Sequence, residues 1–237
     1  DCNDLRDDMI FKMCAGRLPQ SGSELASQPT MSRFENSVGI KDLYRIGELI
    51  FNTFVKSYSD EPPLIIVDCD DTNNNTYGQQ ELSLFNQYYQ GYCYMPLHIY
   101  EGLSGKLITT ILKPGRRSKQ NNIASLLKKI IARIREKWPN TMIIVRGDGH
   151  FASADFMDWC EEKYNTGFIT GLSGNSKLHQ LADATIKSAE REFRQYGKPV
   201  KRYHSFWYQA GSWAKPRRVI VKVEASDMGT NIRYIVT

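Results

Sequence analysis

The chain has 237 residues, of which 41% are hydrophobic and 24% are charged, and its formal net charge is +5. This composition is that of an ordinary globular protein and excludes a disordered chain. Its longest apolar runs fall well short of the ~20 residues that a bilayer span needs, and no charged and apolar leader opens the chain, so we expect a soluble, cytoplasmic protein without a membrane partner. The five cysteines, an odd number without a Cys-x-x-Cys pair, support neither a disulfide framework nor a zinc site.

The first 60 residues have the periodicity of helices. Apolar side chains recur at helical spacing over 4–15 and again over 40–55. A shorter helix is expected to begin after Ser27 or Pro29, where a proline near the first turn is favourable. Polar side chains on this middle helix would suit a module that reads DNA. The same three helices would equally suit a cap on a catalytic core, so both interpretations stay open.

An acidic strand follows at 64–72, with the sequence Leu-Ile-Ile-Val-Asp-Cys-Asp-Asp-Thr. Its apolar, β-branched start predicts a strand that is buried on both faces. Three carboxylates at its end repel one another, so they need cations or hydrogen-bond donors, and a divalent metal ion would supply this compensation. Asp70 is the first candidate ligand because it lies nearer to the strand tip. Asp71, on the opposite face, is a possible secondary site residue, and Asp68 ranks third.

The next elements predict an α/β fold. A glycine turn at 101–105 joins an antiparallel hairpin over 92–112, and an amphipathic helix follows at 121–138. A further helix at 154–164 and a strand at 167–172 complete the pattern. In a mixed sheet with helices on both faces, this order brings the first and fourth strands side by side.

The fourth strand repeats the design of the first. Residues 142–150 read Met-Ile-Ile-Val-Arg-Gly-Asp-Gly-His, so Asp148 follows an apolar strand. Neighbouring strands would then bring Asp70 and Asp148 to one metal site. Hard carboxylate ligands favour Mg²⁺ over Zn²⁺. His150 is either a hydrogen-bonded structural residue or a possible secondary site residue.

Beyond Leu172 the alternation ends. A charged helix at 176–196 is followed by three strand-like runs, which we interpret as a β-rich insertion that the compact core does not need. The first run contains Trp207 and other aromatic residues between basic clusters. These rings could stack on splayed bases or belong to the core.

The basic residues gather beside proline or glycine, and we therefore expect them in loops. Loops of this kind around an acidic centre would suit a polyanion, whereas each cluster alone would suit a solvated turn. The predicted DNA contacts are Arg116, Arg117, Lys119, Arg217 and Arg218.

The sequence resembles DDE transposases of bacterial insertion sequences, most of all the insertion sequence 1380 group. The matching residues run along most of the chain. They include Leu-Ala-Ser-Gln-Pro-Thr-Met-Ser-Arg-Phe-Glu-Asn at 25–36, Val-Asp-Cys-Asp-Asp-Thr at 67–72, Tyr-Cys-Tyr-Met-Pro-Leu-His-Ile-Tyr-Glu-Gly at 92–102, Arg-Gly-Asp-Gly-His at 146–150 and Lys-Pro-Arg-Arg-Val at 215–219.

The resemblance implies a ribonuclease H-like fold that nicks and joins transposon-end DNA with two Mg²⁺ or Mn²⁺ ions. Its catalytic, metal-binding aspartates correspond to Asp70 and Asp148. Its third acidic residue, a glutamate after the β-rich insertion, matches nothing here, and we expect it beyond Thr237 in a longer protein. The implied partners are double-stranded transposon-end and target DNA, bound by a homodimer in a bacterial cytoplasm.

The expected organisation is a helical segment at 1–60, a ribonuclease H-like core at 61–172, and a helix with the β-rich insertion at 173–237. Two other functions remain open. The chain could be a DNA-binding remnant without activity, or a metal-dependent nuclease that cuts without joining.

Overall fold

The computed structural model describes residues 2–116 and 123–237. The chain forms two compact units, Asp1–Leu49 and Ile50–Thr237. Within the described ranges no helix is both long enough and apolar enough to cross a membrane. The helices are α1 (Met9–Cys14), α2 (Gln28–Asn36), α3 (Ile40–Lys56), α4 (Ile123–Lys137), α5 (Ala154–Glu162) and α6 (Ser176–Tyr196), with one 3-10 turn at Gly149–Phe151.

Eleven strands are described, and eight of them form one mixed sheet. The strands are β1 (Leu64–Asp71), β2 (Asn74–Asn75), β3 (Leu84–Asn86), β4 (Gly91–Tyr94), β5 (Leu97–Glu101), β6 (Leu107–Ile111), β7 (Met142–Gly147), β8 (Thr166–Leu172), β9 (Val200–Tyr208), β10 (Arg217–Ser226) and β11 (Gly229–Val236). The large sheet has the order β6-β5-β1-β7-β8-β11-β10-β9, and β2, β4 and β3 form a small second sheet.

The centre of the large sheet is the parallel pair of β1 and β7. Their register runs from Leu64 opposite Met142 to Asp68 opposite Arg146. Alternate side chains such as Ile65 are fully buried because these apolar strands lie in the middle of the sheet. The predicted contact between the first and fourth strands is therefore confirmed.

Helices cover this sheet, as their amphipathic patterns require. α4 buries a stripe of four apolar side chains, namely Leu127, Ile130, Ile131 and Ile134. The antiparallel hairpin of β5 and β6 flanks β1 on its other side. The architecture is an α/β mixed sheet flanked by helices, as the sequence predicted.

The C-terminal strands differ from the expectation of a core that closes at Leu172. β11 pairs with β8, with Tyr234 opposite Leu172 and Val236 opposite Thr170, and β10 and β9 continue the same sheet. Every second residue from Val219 to Ala225 is buried. This apolar face has to be covered, and the helix α6 packs against β9 and β10. The three strands therefore share the core rather than stand outside it.

Candidate active site

Two of the three carboxylates at the end of β1 are neutralised by a neighbouring cation. Arg146 of β7 donates from Nε to Oδ1 of Asp68 over 2.9 Å and from Nη2 to Oδ2. This forked contact raises the pKa of Arg146, through the hydrogen bond to Asp68 above all. On the opposite face of β1, Lys113 donates to Asp71, and both side chains are largely buried.

Asp70 differs from both of its neighbours. It is exposed, and the described side chains make no hydrogen bond or ion pair with its carboxylate. Its cross-strand neighbour in β5 is His98, whose Nδ1 lies 2.9 Å from the hydroxyl of Thr110. Sequence reasoning missed His98, although the alternation of β5 places it on the face opposite the buried Leu97 and Ile99.

Asp148 follows directly after β7. Its Oδ1 accepts the backbone N–H of His150 over 2.8 Å, and its Oδ2 lies 2.8 Å from Nδ1 of the same residue. The preceding Gly147 is required because a Cβ there would lie 2.5 Å from the ring of Phe151. The chain enters a 3-10 turn directly after Asp148, and the Asp148 side chain is 61% exposed.

The strand register relates the two predicted aspartates. Asp68 lies opposite Arg146, which is the last pair of the β1–β7 register. Asp70 is at the end of β1, and Asp148 follows directly after the end of β7. Both carboxylates therefore lie at the same edge of the sheet, on adjacent parallel strands. Asp68 also lies at this edge, but its charge is already balanced by Arg146.

A cleft of about 950 Å³ opens beside this edge. It contains acidic, basic and aromatic side chains, including Asp71, Asp148, His150, Lys113, Arg116, Phe85, Tyr88 and Tyr89. Asp70 is not among the residues that line it. No pattern in the sequence indicated the tyrosines, since they follow a three-residue strand of a small sheet.

Two carboxylates at this edge have the donor atoms that a divalent metal ion prefers. Carboxylate oxygen is the donor that Mg²⁺ and Mn²⁺ prefer, and Asp70 and Asp148 offer two such groups. However, within residues 2–116 and 123–237 no group of three or more His, Cys, Asp or Glu side chains is arranged to hold a metal ion. The donor chemistry fits a divalent ion, but the described ligand set is incomplete.

The cysteine between the acids has a different role. Burial raises the pKa of the Cys69 thiol to about 12, and the charges of Asp68 and Asp71 add to this effect. The thiol is therefore neutral at pH 7, which makes it a poor nucleophile and a poor metal ligand. It packs in the core with Val67.

The predicted DNA contacts fall into three groups. Arg116 is exposed at the cleft, whereas Arg117 and Lys119 lie outside the described residues. The loop expected for Arg217 and Arg218 is wrong, because both residues begin β10. Strand alternation leaves Arg218 exposed and buries Arg217 in ion pairs with Asp158 and Glu161. A guanidinium in these surroundings is not available to a phosphate.

Comparison with known proteins gives a family match over the full chain. The family described as "Transposase DDE domain group 1" matches residues 1–237. A search of curated proteins finds no match.

Two solved structures are similar at low sequence identity. The piggyBac transposase synaptic complex with hairpin DNA is 11% identical over 83% of this chain, with a TM-score of 0.44. The prototype foamy virus protease–reverse transcriptase is 10% identical over 99% of this chain and 30% of its own length, with a TM-score of 0.28. The chain spans 39% of the length of the piggyBac transposase.

Proposed function

Because this chain belongs to the family Transposase DDE domain group 1, we propose that it takes part in nicking and joining transposon-end DNA by phosphoryl transfer. The reaction class is that of a polynucleotidyl transferase or nuclease. We further propose a bacterial insertion sequence of the 1380 group as its source, the cytoplasm as its location, and a homodimer as the form that binds DNA.

The site assignment rests on a difference in ion pairing among the three aspartates of β1. Asp68 and Asp71 each have their own cation, whereas Asp70 is exposed and unpaired within the described chain. A carboxylate without a protein cation is available to a metal ion. Asp148 lies at the same edge of the sheet, which supports Asp70 and Asp148 as the two metal ligands of this chain.

We propose specific roles for the surrounding residues. A divalent ion, Mg²⁺ or Mn²⁺, would activate the attacking oxygen and stabilise the leaving oxygen when bound. His150 holds the Asp148 carboxylate through two contacts and so orients it. Arg146 and Lys113 neutralise two acids that would otherwise repel a DNA phosphate. Arg116 lies at the cleft and is our proposed phosphate contact there.

The incomplete ligand set favours a second candidate function. Because the described residues assemble no group of three acids, the chain would bind DNA without cutting it if no further carboxylate joined Asp70 and Asp148. A nuclease that cuts without joining would carry the same two aspartates, and a strand-transfer assay with pre-cleaved ends would separate it from a transposase.

Mn²⁺ binding and plasmid nicking test this proposal. We expect Asp70→Asn and Asp148→Asn each to weaken Mn²⁺ binding by at least about tenfold, since the two carboxylates share one site. Asp227→Asn is the matched control because it removes an exposed carboxylate from the distant turn between β10 and β11. The titration would follow free Mn²⁺ by electron paramagnetic resonance.

The outcomes separate the candidates. Equal Mn²⁺ affinity in Asp148→Asn and the parent would show that the assignment is wrong. A selective loss in Asp71→Asn instead of Asp70→Asn would move the first ligand to the cleft face of β1. Supercoiled plasmid that is nicked by the parent with Mn²⁺, but not by either asparagine variant, would support the enzyme. Metal binding without nicking would support the remnant.

A further inference from the structure

The three C-terminal strands have one covered face and one open face. Leu178 and Ala182 of α6 belong to the same buried core as Val219 and Val221. The ring of His179, also on α6, contacts the ring of Tyr234 edge-on, with the centroids 5.5 Å apart. α6 therefore covers one side of these strands, packing against β9 and β10. On the other side, Trp207, Arg218 and Arg233 are exposed.

This outward face carries aromatic rings and cations, and we call it the open face. Strand alternation and cross-strand register place six such side chains on it: Lys201, Tyr203, Trp207, Arg218, Lys222 and Arg233. Trp207 is 70% exposed and Tyr203 is 64% exposed. Large aromatic rings are usually withdrawn from water, so two of them on the open face of one strand indicate a binding surface.

The charge of the open face is positive. Its one carboxylate, Glu224, pairs with Lys222 over 2.9 Å and with Lys201 over 3.5 Å. Arg218 and Arg233 have no ion pair with any side chain in the described part of the chain. A positive surface of this kind favours a negatively charged partner and disfavours a second copy of itself.

Each exposed ring lies beside a cation of the neighbouring strand. Trp207 is the cross-strand partner of Arg218, and Tyr203 is the partner of Lys222. We propose that the open face binds an unpaired DNA strand, whose bases stack on these rings while its phosphates contact the adjacent cations. Stacking of bases on aromatic side chains next to basic groups is the usual physical basis of single-strand binding.

The geometry favours a single strand over a duplex. The two rings are four residues apart on β9, roughly 13 Å along an extended strand, whereas stacked bases in a duplex strand are separated by about 3.4 Å. The rings would therefore contact bases that are splayed apart. The base faces of an intact duplex are stacked on one another, so they are not available to Trp207 or Tyr203.

This inference rests on the proposed function in one respect, the origin of the unpaired strand. That strand would come from DNA opened at a nicked transposon end. The binding itself needs no metal ion. It can therefore be measured in EDTA, where strand cleavage by a metal-dependent site cannot occur. Failure of the catalytic assignment would leave this measurement unaffected.

The experiment is fluorescence anisotropy of a labelled oligothymidine of about twelve nucleotides, a length within the usual site sizes. We expect Trp207→Ala to weaken binding about tenfold, and Tyr203→Ala to act in the same direction. Trp207→Phe keeps an aromatic face, so it should restore most of the affinity. Tyr196→Ala is the matched control, since it removes an equally exposed tyrosine from the end of α6.

Two further measurements exclude a purely structural effect. The salt slope should fall by about 0.7 for each single-strand phosphate contact removed, so Arg218→Ala and Arg233→Ala should each flatten it. Trp207 fluorescence should be quenched by the oligonucleotide, and this quenching should disappear in Trp207→Phe while binding remains.

Three results would overturn the inference. The first is equal affinity of the parent and Trp207→Ala for the single strand. The second is tighter binding of a blunt duplex of the same length than of the single strand, if Trp207→Ala weakens this duplex binding. The third is a concentration-dependent dimer in sedimentation that Trp207→Ala abolishes, since this would assign the open face to a second copy.

Discussion

Arg217 and Arg218 are neighbours in the sequence, but strand alternation gives their side chains opposite surroundings. Arg217 is 1% exposed and donates twice to Glu161 and once to Asp158. Burial by itself would lower its pKa, but the contacts with Glu161 and Asp158 raise it. Its guanidinium also packs over the ring of Trp213, 5.4 Å from the centroid. Arg217 therefore ties β10 to α5.

Arg217→Ala should lower the free energy of unfolding by about 2 kcal/mol. This is below the ~3–5 kcal/mol lost on breaking a fully buried pair, because Glu161 and Asp158 are partly exposed. Arg218→Ala is the matched control and should change stability by less than about 0.5 kcal/mol. Urea denaturation followed by circular dichroism gives both values. Equal stability of the two variants would contradict a structural role for Arg217.

At the scale of elements, one carboxylate joins the β5–β6 hairpin to β1. Glu101 is buried at the end of β5 and accepts the backbone N–H groups of Ile66, Leu103 and Ser104. Burial by itself would raise its pKa, but hydrogen bonds from Ser104, Ile66 and Leu103 lower it below the ordinary value of 4.5. The charged form is therefore the one that the fold stabilises.

The pH dependence of stability follows from this lowered pKa. A carboxyl group whose pKa is lower in the folded state stabilises the fold above its unfolded pKa and loses this effect as the pH falls through the folded pKa. Glu101→Gln should therefore lower the free energy of unfolding at pH 7 by about 1–3 kcal/mol. It should also flatten the loss of stability below pH ~4.5. Thermal unfolding of both proteins between about pH 7 and pH 3 measures this, and parallel pH curves would contradict it.

The elements that sequence could predict are those whose pattern depends on local burial. The apolar runs before Asp70 and Asp148 predicted two strands, and the order of elements predicted that these strands are neighbours. Ion pairs between distant segments leave no such pattern. Lys113 and Arg217 were indistinguishable in sequence from other basic residues near proline, although both are held by acidic partners from another element. His98 was missed for the same reason, because only the strand register brings it beside Asp70.

At the scale of the molecule, one eight-stranded sheet in the second unit contains both β1, which begins at Leu64, and β11, which ends at Val236. The sequence predicted a separate insertion because the order of strands and helices changes after Leu172. Pairing between β8 and β11 cannot be read from that order, since the two strands are far apart in the chain and antiparallel. Val219, Val221 and Val223 then belong to the same buried cluster as Ile65 and Val145.

A continuous core of this kind should open as one cooperative unit. We expect amides of β10 and β11 to exchange with deuterium as slowly as those of β1 and β7, because their hydrogen bonds would break only on global unfolding. The edge strand β9 is the internal comparison. Among the described strands none pairs with its outer side, so its outer amides should exchange faster. Hydrogen exchange read by mass spectrometry on peptides covering 64–71, 142–147 and 217–236 measures this. With increasing urea, the protected peptides should converge on one free energy of opening. Residues 217–236 could instead open with a lower free energy while 64–71 stayed protected. That result would show that the C-terminal strands unfold independently, and it would contradict a core shared with β1 and β7.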